Sequence, residues 1–71
     1  MTVNLDLRKL AKALDEKRYK ERVTLRELSK ELGVSTSTLS RLESGRMPDL
    51  TTYIIVCRYL NRPFNHFFTV D

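Results

Sequence analysis

The chain has 71 residues, of which 13 are Lys or Arg and 9 are Asp or Glu, so its formal net charge is +4. This length predicts one domain, residues 1–71, with a small core, and the mildly basic balance favours nucleic acid or acidic surfaces as partners. The single cysteine excludes an internal disulfide, and no apolar run approaches the roughly 20 residues that a membrane span requires.

Residues that could carry chemistry are few. The sequence has no carboxylate pair, no nucleophile with a base and no Cys/His cluster at workable spacing, so we expect no enzymatic activity, no metal and no cofactor. His66 has no carboxylate or cysteine partner at helical spacing and is expected at the surface. The N-terminus MTVNLDLRKL lacks the pattern of a signal peptide, and we expect a cytoplasmic protein.

The first predicted helix begins after Asn4 or Asp6, since either side chain can act as its N-cap. Four apolar residues at helical spacing form its buried face: Leu7, Leu10, Ala11 and Leu14. The segment from Tyr19 to Val23 is predicted to be a charged loop or an extension of this helix. We interpret the helix as scaffold.

The second predicted helix begins near Leu25, because Thr24 and Glu27 have the spacing of a capping box. Leu25, Leu28 and Leu32 recur at intervals of 3 and 4 and form one apolar face. Gly33 follows the last leucine, where a left-handed residue ends a helix. The chain is therefore expected to turn sharply at this glycine.

The third predicted helix follows at once, with Ser35 as its N-cap, Leu39 and Leu42 buried, and Gly45 at its end. Two short helices that meet at one glycine, over residues 24–45, have the spacing of a helix-turn-helix. The face opposite the leucines carries short hydroxyls and one arginine: Thr36, Ser37, Ser40, Arg41 and Ser44.

Such a face suits DNA. Short side chains allow a helix to approach a groove closely, and Arg41 can donate two hydrogen bonds to guanine O6 and N7. The alternative interpretation of the same residue types is a weak surface helix rich in Ser and Thr. Residue types alone do not decide between the two, whereas the spacing favours DNA.

A fourth helix is predicted from Leu50 to about Leu60, capped by Asp49. Its expected buried stripe contains Leu50, Tyr53, Ile54, Cys57 and Leu60, with Val56 at the flank. Cys57 is expected to act as a small buried hydrophobe. Pro63 is predicted to begin a short fifth helix, PFNHFF, which places Phe64 and Phe67 in the core.

The run LRELSKELGVSTSTLSRLESGRMPDL resembles the Cro and phage-repressor type of helix-turn-helix, also called the XRE family. Ten residues match the family pattern in register: Leu28, Gly33, Val34, Ser35, Leu39, Ser40, Arg41, Glu43, Gly45 and Pro48. The similarity extends through Leu60 and Phe67 and covers roughly residues 7–68. The resemblance implies an all-α, compact five-helix, lambda-repressor-like domain that binds duplex DNA.

The resemblance also implies roles for individual residues. The third helix, residues 36–44, would enter the major groove, with base contacts from Thr36, Ser37, Ser40 and Arg41. Phosphate contacts would come from Ser35, Ser44 and Arg46, and from Thr24 or Arg26, since Leu25 replaces a glutamine that is frequent in relatives. Relatives also pair Glu43 with an arginine of the first helix. Arg18 or Lys17 can take that part here.

Apolar residues near the end of the chain exceed what a monomer core needs. Ile55, Tyr59, Phe68 and Val70 are predicted to form a homodimer interface that sets two recognition helices about 34 Å apart. The alternative is that Ile55 is a scattered surface residue and that Phe68 packs into its own core. We expect a transcriptional regulator of the repressor kind. A second hypothesis is an antitoxin-like or adaptor module in which DNA binding is secondary.

Overall fold

Four α-helices and a two-stranded antiparallel sheet make up the structure, a computed structural model that describes residues 2–70. The elements in chain order are β1 (Val3–Leu5), α1 (Leu7–Glu21), α2 (Leu25–Leu32), α3 (Thr36–Glu43), α4 (Leu50–Leu60) and β2 (Phe68–Val70). None of the helices in this range is long and apolar enough to cross a membrane.

Each helix begins at a side chain that accepts a hydrogen bond from the third backbone N–H of the helix. The four N-caps are Asp6, Thr24, Ser35 and Asp49. The predicted capping box is present in full, because Glu27 Oε1 also accepts from the Thr24 backbone N–H at 3.1 Å. Of the two candidates for α1, Asp6 is the cap.

The core lies where the four helices meet, and one aromatic residue from the C-terminal segment completes it. Its buried members are Leu10, Leu14, Leu28, Val34, Leu39, Leu42, Tyr53, Val56, Cys57, Leu60 and Phe67. Cys57 is buried among them, as predicted, and burial raises the pKa of its thiol. All the leucines predicted for the inner face of α3 are in this core.

The buried face of α4 differs from the prediction at two residues. Leu50 is 72% exposed and Ile54 is 43% exposed, so their predicted places in the buried stripe are wrong. The stripe that faces the core instead begins at Tyr53 and includes Val56, which was predicted only at its flank. The helix repeat allows one such face, and Leu50 and Ile54 lie outside it.

The predicted fifth helix is wrong, because residues 64–67 form turns and the chain then continues into β2. His66 N–H donates to Pro63 O at 3.0 Å and Phe68 N–H to Asn65 O at 3.2 Å, both three-residue steps rather than the four-residue steps of an α-helix. Other partners also take up carbonyls of this segment, since Tyr53 Oη donates to Phe64 O. Phe67 is buried as predicted, whereas Phe64 is 63% exposed.

The two strands were not predicted. β1 and β2 are antiparallel, with Leu5 opposite Phe68 and Val3 opposite Val70. Side chains alternate across a strand, so these four apolar residues share one face of the sheet. Leu5 and Phe68 pack against the core, whereas Val3 and Val70 extend beyond it and are exposed. The fold is thus mostly helical, with a small sheet in place of the last helix.

Most of the segment from Tyr19 to Val23, predicted to be a charged loop or an extension of the first helix, forms the C-terminal turn of α1. The helix ends at Glu21, and Arg22 adopts a left-handed conformation with φ 56°. Glu21 Oε1 accepts a hydrogen bond from Tyr59 Oη at 2.9 Å, which joins α1 to α4. Burial, together with this bond, raises the pKa of Tyr59 to about 12.

Candidate nucleic-acid interface

The turn between α2 and α3 is held by one glycine and one buried valine. Gly33 has φ 71°, a conformation in which L side chains are strained, and its N–H donates to Ser29 O at 2.9 Å. Val34 is buried in the turn and belongs to the same core cluster as Leu28 and Leu39. The orientation of α3 is therefore fixed by packing on its inner face, which leaves its outer face free.

A two-hydrogen-bond ion pair fixes the end of α3 to α1. Arg18 Nε donates to Glu43 Oε2 at 2.7 Å and Nη2 donates to Oε1 at 3.3 Å. The same guanidinium donates from Nη1 to Val23 O at 3.1 Å. Hydrogen bonding to Glu43 raises the pKa of Arg18 further above its ordinary value. Of the two predicted candidates, Arg18 is the partner of Glu43.

The ion pair also keeps negative charge off the outer face of α3. Glu43 is the only carboxylate in this helix, and its side chain is 15% exposed and paired with Arg18. The outer face carries the predicted hydroxyls and one cation, all exposed: Thr36, Ser37, Ser40 and Arg41, with Ser44 directly after the helix. A face without a negative charge can approach a polyanion closely.

Three hydroxyls predicted to contact phosphate already hold helix ends. Thr24 Oγ1 donates to Glu27 Oε1 at 3.0 Å, and Ser44 Oγ donates to Arg41 O at 2.9 Å. Ser35 Oγ accepts from the Thr38 N–H at 3.1 Å. Each of these side chains is exposed, but each is engaged in a cap.

The predicted phosphate ligands that remain unengaged are two arginines. Arg26 lies in the first turn of α2, and Arg46 lies in the loop after α3. Both are exposed, and neither forms an ion pair with a carboxylate of residues 2–70. They lie near the two ends of the α2-turn-α3 unit.

A groove beside α3 was not predicted from the sequence. It runs between the end of α3, the following loop and the start of α4, and its lining is Thr38, Arg41, Leu42, Arg46, Met47, Pro48, Asp49 and Thr52. The sequence feature that could have indicated this groove is the position of Arg46 and Met47 shortly after the end of the third helix.

Asp49 is the one acidic residue of this groove. Its Oδ1 accepts from the Thr52 backbone N–H at 2.8 Å, and hydrogen bonding from Thr52 lowers the pKa of the carboxyl. The carboxylate therefore caps α4 and stays charged. It opposes an anion at this end of the groove, and neither Arg41 nor Arg46 neutralises it by an ion pair.

The four residues predicted for a dimer interface lie on two elements. Ile55 and Tyr59 are half-buried on α4, and Tyr59 is bound to Glu21. Phe68 is half-buried on β2, where its ring stacks on Tyr53 with centroids 5.7 Å apart and an interplanar angle of 8°. Val70 is 59% exposed at the end of the same strand.

The remaining titratable candidate, His66, is half-buried, with its ring edge-on to Phe67 at 4.8 Å between centroids. Desolvation, with Lys9 and Arg62 adding to it, lowers the pKa of His66. No group of three or more His, Cys, Asp or Glu side chains in residues 2–70 could hold a metal ion.

Comparison with protein families gives a match. A family model described as Helix-turn-helix matches residues 16–67, a range that includes Arg18, the whole of α2, α3 and α4, and Phe67. No curated protein and no solved structure matches the chain significantly. The matched range contains the capped α2-turn-α3 unit, and a match to this family indicates a DNA-binding regulator of transcription. The chain therefore belongs to the helix-turn-helix family of the Cro and phage-repressor, or XRE, type.

Proposed function

We propose that the protein is a transcriptional repressor that binds an operator in duplex DNA as a homodimer, with α3 in the major groove. The observation that carries this proposal is the outer face of α3, which presents the three hydroxyls of Thr36, Ser37 and Ser40, together with Arg41, and no carboxylate. The only acidic residue of the helix is turned inward and paired with Arg18. The Arg18–Glu43 ion pair thus stabilises the position of α3 and also keeps the negative charge of Glu43 away from the face proposed to meet DNA.

In the proposed complex the residues divide into two groups. Thr36, Ser37 and Arg41 contact base edges, and Ser40 contacts a base or a phosphate. Arg26 and Arg46, which have no acidic partner in the described chain, contact phosphates on either side of the helix. Thr24, Ser35 and Ser44 act mainly by holding the helix ends that meet the backbone.

The proposed dimer is supported by apolar residues that the monomer leaves half-buried or exposed. Phe68 and Val70 share the apolar face of the sheet, and Ile55 lies half-buried on α4. A two-stranded sheet is marginal alone and gains from further burial. A two-fold partner on these residues would present a second copy of α3, so that one operator half-site follows another after about one helical turn, or 34 Å.

Selection of bound sites from random duplex DNA tests this function. The expected result is a palindromic consensus with half-site centres about one turn apart. Transcription from a promoter that overlaps the selected site should then fall when the protein is present. Salt-sensitive binding without a consensus would contradict the proposal and favour the protein-interaction module. A consensus whose occupation leaves transcription unchanged or raises it would contradict repression alone.

A further inference from the structure

The loop between α3 and α4 holds a large apolar side chain in solvent beside the DNA-facing helix. Met47 is 66% exposed and lines the groove that Arg41 and Arg46 also line. An exposed methionine between charged and hydroxyl neighbours leaves apolar area in water, which favours its burial against a ligand. Methionine has no strong hydrogen-bond donor for a phosphate, so its contact must be apolar.

The position of Met47 is constrained from both sides. Before it, Gly45 N–H donates to Leu42 O at 3.0 Å and Arg46 N–H donates to Arg41 O at 3.0 Å, which joins the loop to the last turn of α3. After it, Pro48 has a restricted φ and Asp49 caps α4. The span of three residues between Gly45 and Asp49 therefore holds Met47 beside α3 with little freedom of the backbone.

Arg41 belongs both to the outer face of α3 and to the groove lining. Around the helix axis, Thr38 lies between Arg41 and the buried Leu42, and all three residues line the groove. The groove therefore borders the outer face along the edge that Arg41 occupies. Successive bases along a strand lie about 3.4 Å apart. In the proposed complex, a base next to the one that Arg41 contacts would therefore lie on the side of α3 that the groove and Met47 occupy.

We propose that Met47 is a specificity-determining residue that contacts the C5-methyl group of a thymine next to the base pair read by Arg41. This inference rests on the proposed function and names part of the sequence that the site recognises. The thymine methyl is the apolar group that a base pair presents in the major groove. The flexible thioether of methionine can adapt to that methyl group without an exact fit.

The test replaces each thymine of the selected consensus, one at a time, by uracil, which lacks only the methyl group. Wild-type protein should lose about fourfold in affinity at one position of each half-site, the effect of uncovering about one methyl-sized group. That position should neighbour the base pair whose preference Arg41→Ala relaxes. Met47→Ala removes the contact in both half-sites, so it should lose about the square of this factor, about sixteenfold, on the thymine duplex and show no further loss on the uracil duplex. Leu50→Ala is the matched control, since Leu50 is 72% exposed but lies outside the groove lining, and it should keep the full uracil effect.

Three results would overturn the inference. The first is a consensus without a thymine beside the base pair read by Arg41. The second is uracil duplexes that bind the wild type as tightly as thymine duplexes. The third is a loss on Met47→Ala that is equal for both duplexes, which would assign the side chain to the sugar and not to a base. If no consensus is selected at all, the proposed function fails together with this inference, and that result differs from all three.

Discussion

Arg18 of α1 and Glu43 at the end of α3 form a two-hydrogen-bond ion pair, with Nε and Oε2 2.7 Å apart and side chains that are 24% and 15% exposed. The pair joins the scaffold helix to α3, the helix proposed to enter the major groove, and the third donor of the same guanidinium holds Val23 O in the loop before α2. One arginine therefore fixes the relative positions of α1, α2 and α3.

Replacing Glu43 by Gln should lower the free energy of unfolding by about 1–3 kcal/mol, because the neutral amide leaves a partly buried guanidinium without its charged acceptor. Urea unfolding followed by circular dichroism measures this. The matched control is Glu16→Gln, which removes the exposed 4.0 Å pair with Lys12 and should have little effect. Equal effects of the two substitutions would contradict the structural importance of the Arg18–Glu43 pair.

The Asp49 cap should make stability depend on pH in the acid range. Hydrogen bonding from Thr52 lowers the pKa of Asp49 below its ordinary value of 3.8. The stabilisation is therefore present above the unfolded-state pKa and is lost as the pH falls through the lower folded-state pKa. Asp49→Asn keeps an N-cap acceptor but removes the titrating group.

Thermal unfolding of the wild type and of Asp49→Asn from neutral pH into the acid range measures this contribution. The advantage of the wild type over the variant should shrink as the pH falls through the folded-state pKa of Asp49. The carboxyl titration of Asp49 can be followed directly by NMR. A value at or above the ordinary one would contradict the cap as the structure shows it.

The proposed dimer predicts that the two faces of β2 respond differently to charge. Val70→Lys adds an ammonium to the exposed apolar face and should shift sedimentation profiles from dimer to monomer, since charge blocks association at such a surface. Thr69→Lys adds the same charge to the opposite face and should leave the dimer intact. A wild-type protein that sediments only as an 8.4 kDa species would exclude the dimer.

Sequence patterns predicted the helix-turn-helix because its determinants are local. Capping residues and leucines at helical spacing act within one or two turns, and they placed α2, its end at Gly33 and the core side of α3 correctly. The sheet depends on contacts between the two ends of the chain, such as Leu5 with Phe68, and strands of three residues have too short a pattern to detect.

The groove beside α3 was not predicted for a similar reason, since it depends on contacts between separate elements of the chain. The groove beside α3 brings together residues of α3, the loop and α4, and its composition depends on how α4 packs. The error at Leu50 and Ile54 was an error about that packing, since both residues satisfy a helical spacing but lie off the face that meets the core.

Replacing Arg46 by Ala should weaken binding to all DNA sequences alike, because a phosphate contact carries no base information. The slope of log affinity against log salt concentration should become shallower by about one unit for each half-site, because one phosphate contact is lost there. Titrations at several salt concentrations, on the selected operator and on a scrambled duplex, measure both effects. A loss confined to the operator would assign Arg46 to a base.

The central claim is that the outer face of α3 reads bases and that Arg41 is its principal donor. Repeating the selection from random DNA with Arg41→Ala tests it most directly, with Arg46→Ala as the control. We predict that Arg41→Ala loses preference at one base pair of each half-site and about 1–3 kcal/mol of affinity for each half-site of the wild-type operator, while Arg46→Ala keeps the consensus. Unchanged affinity and an unchanged consensus for Arg41→Ala would contradict the account.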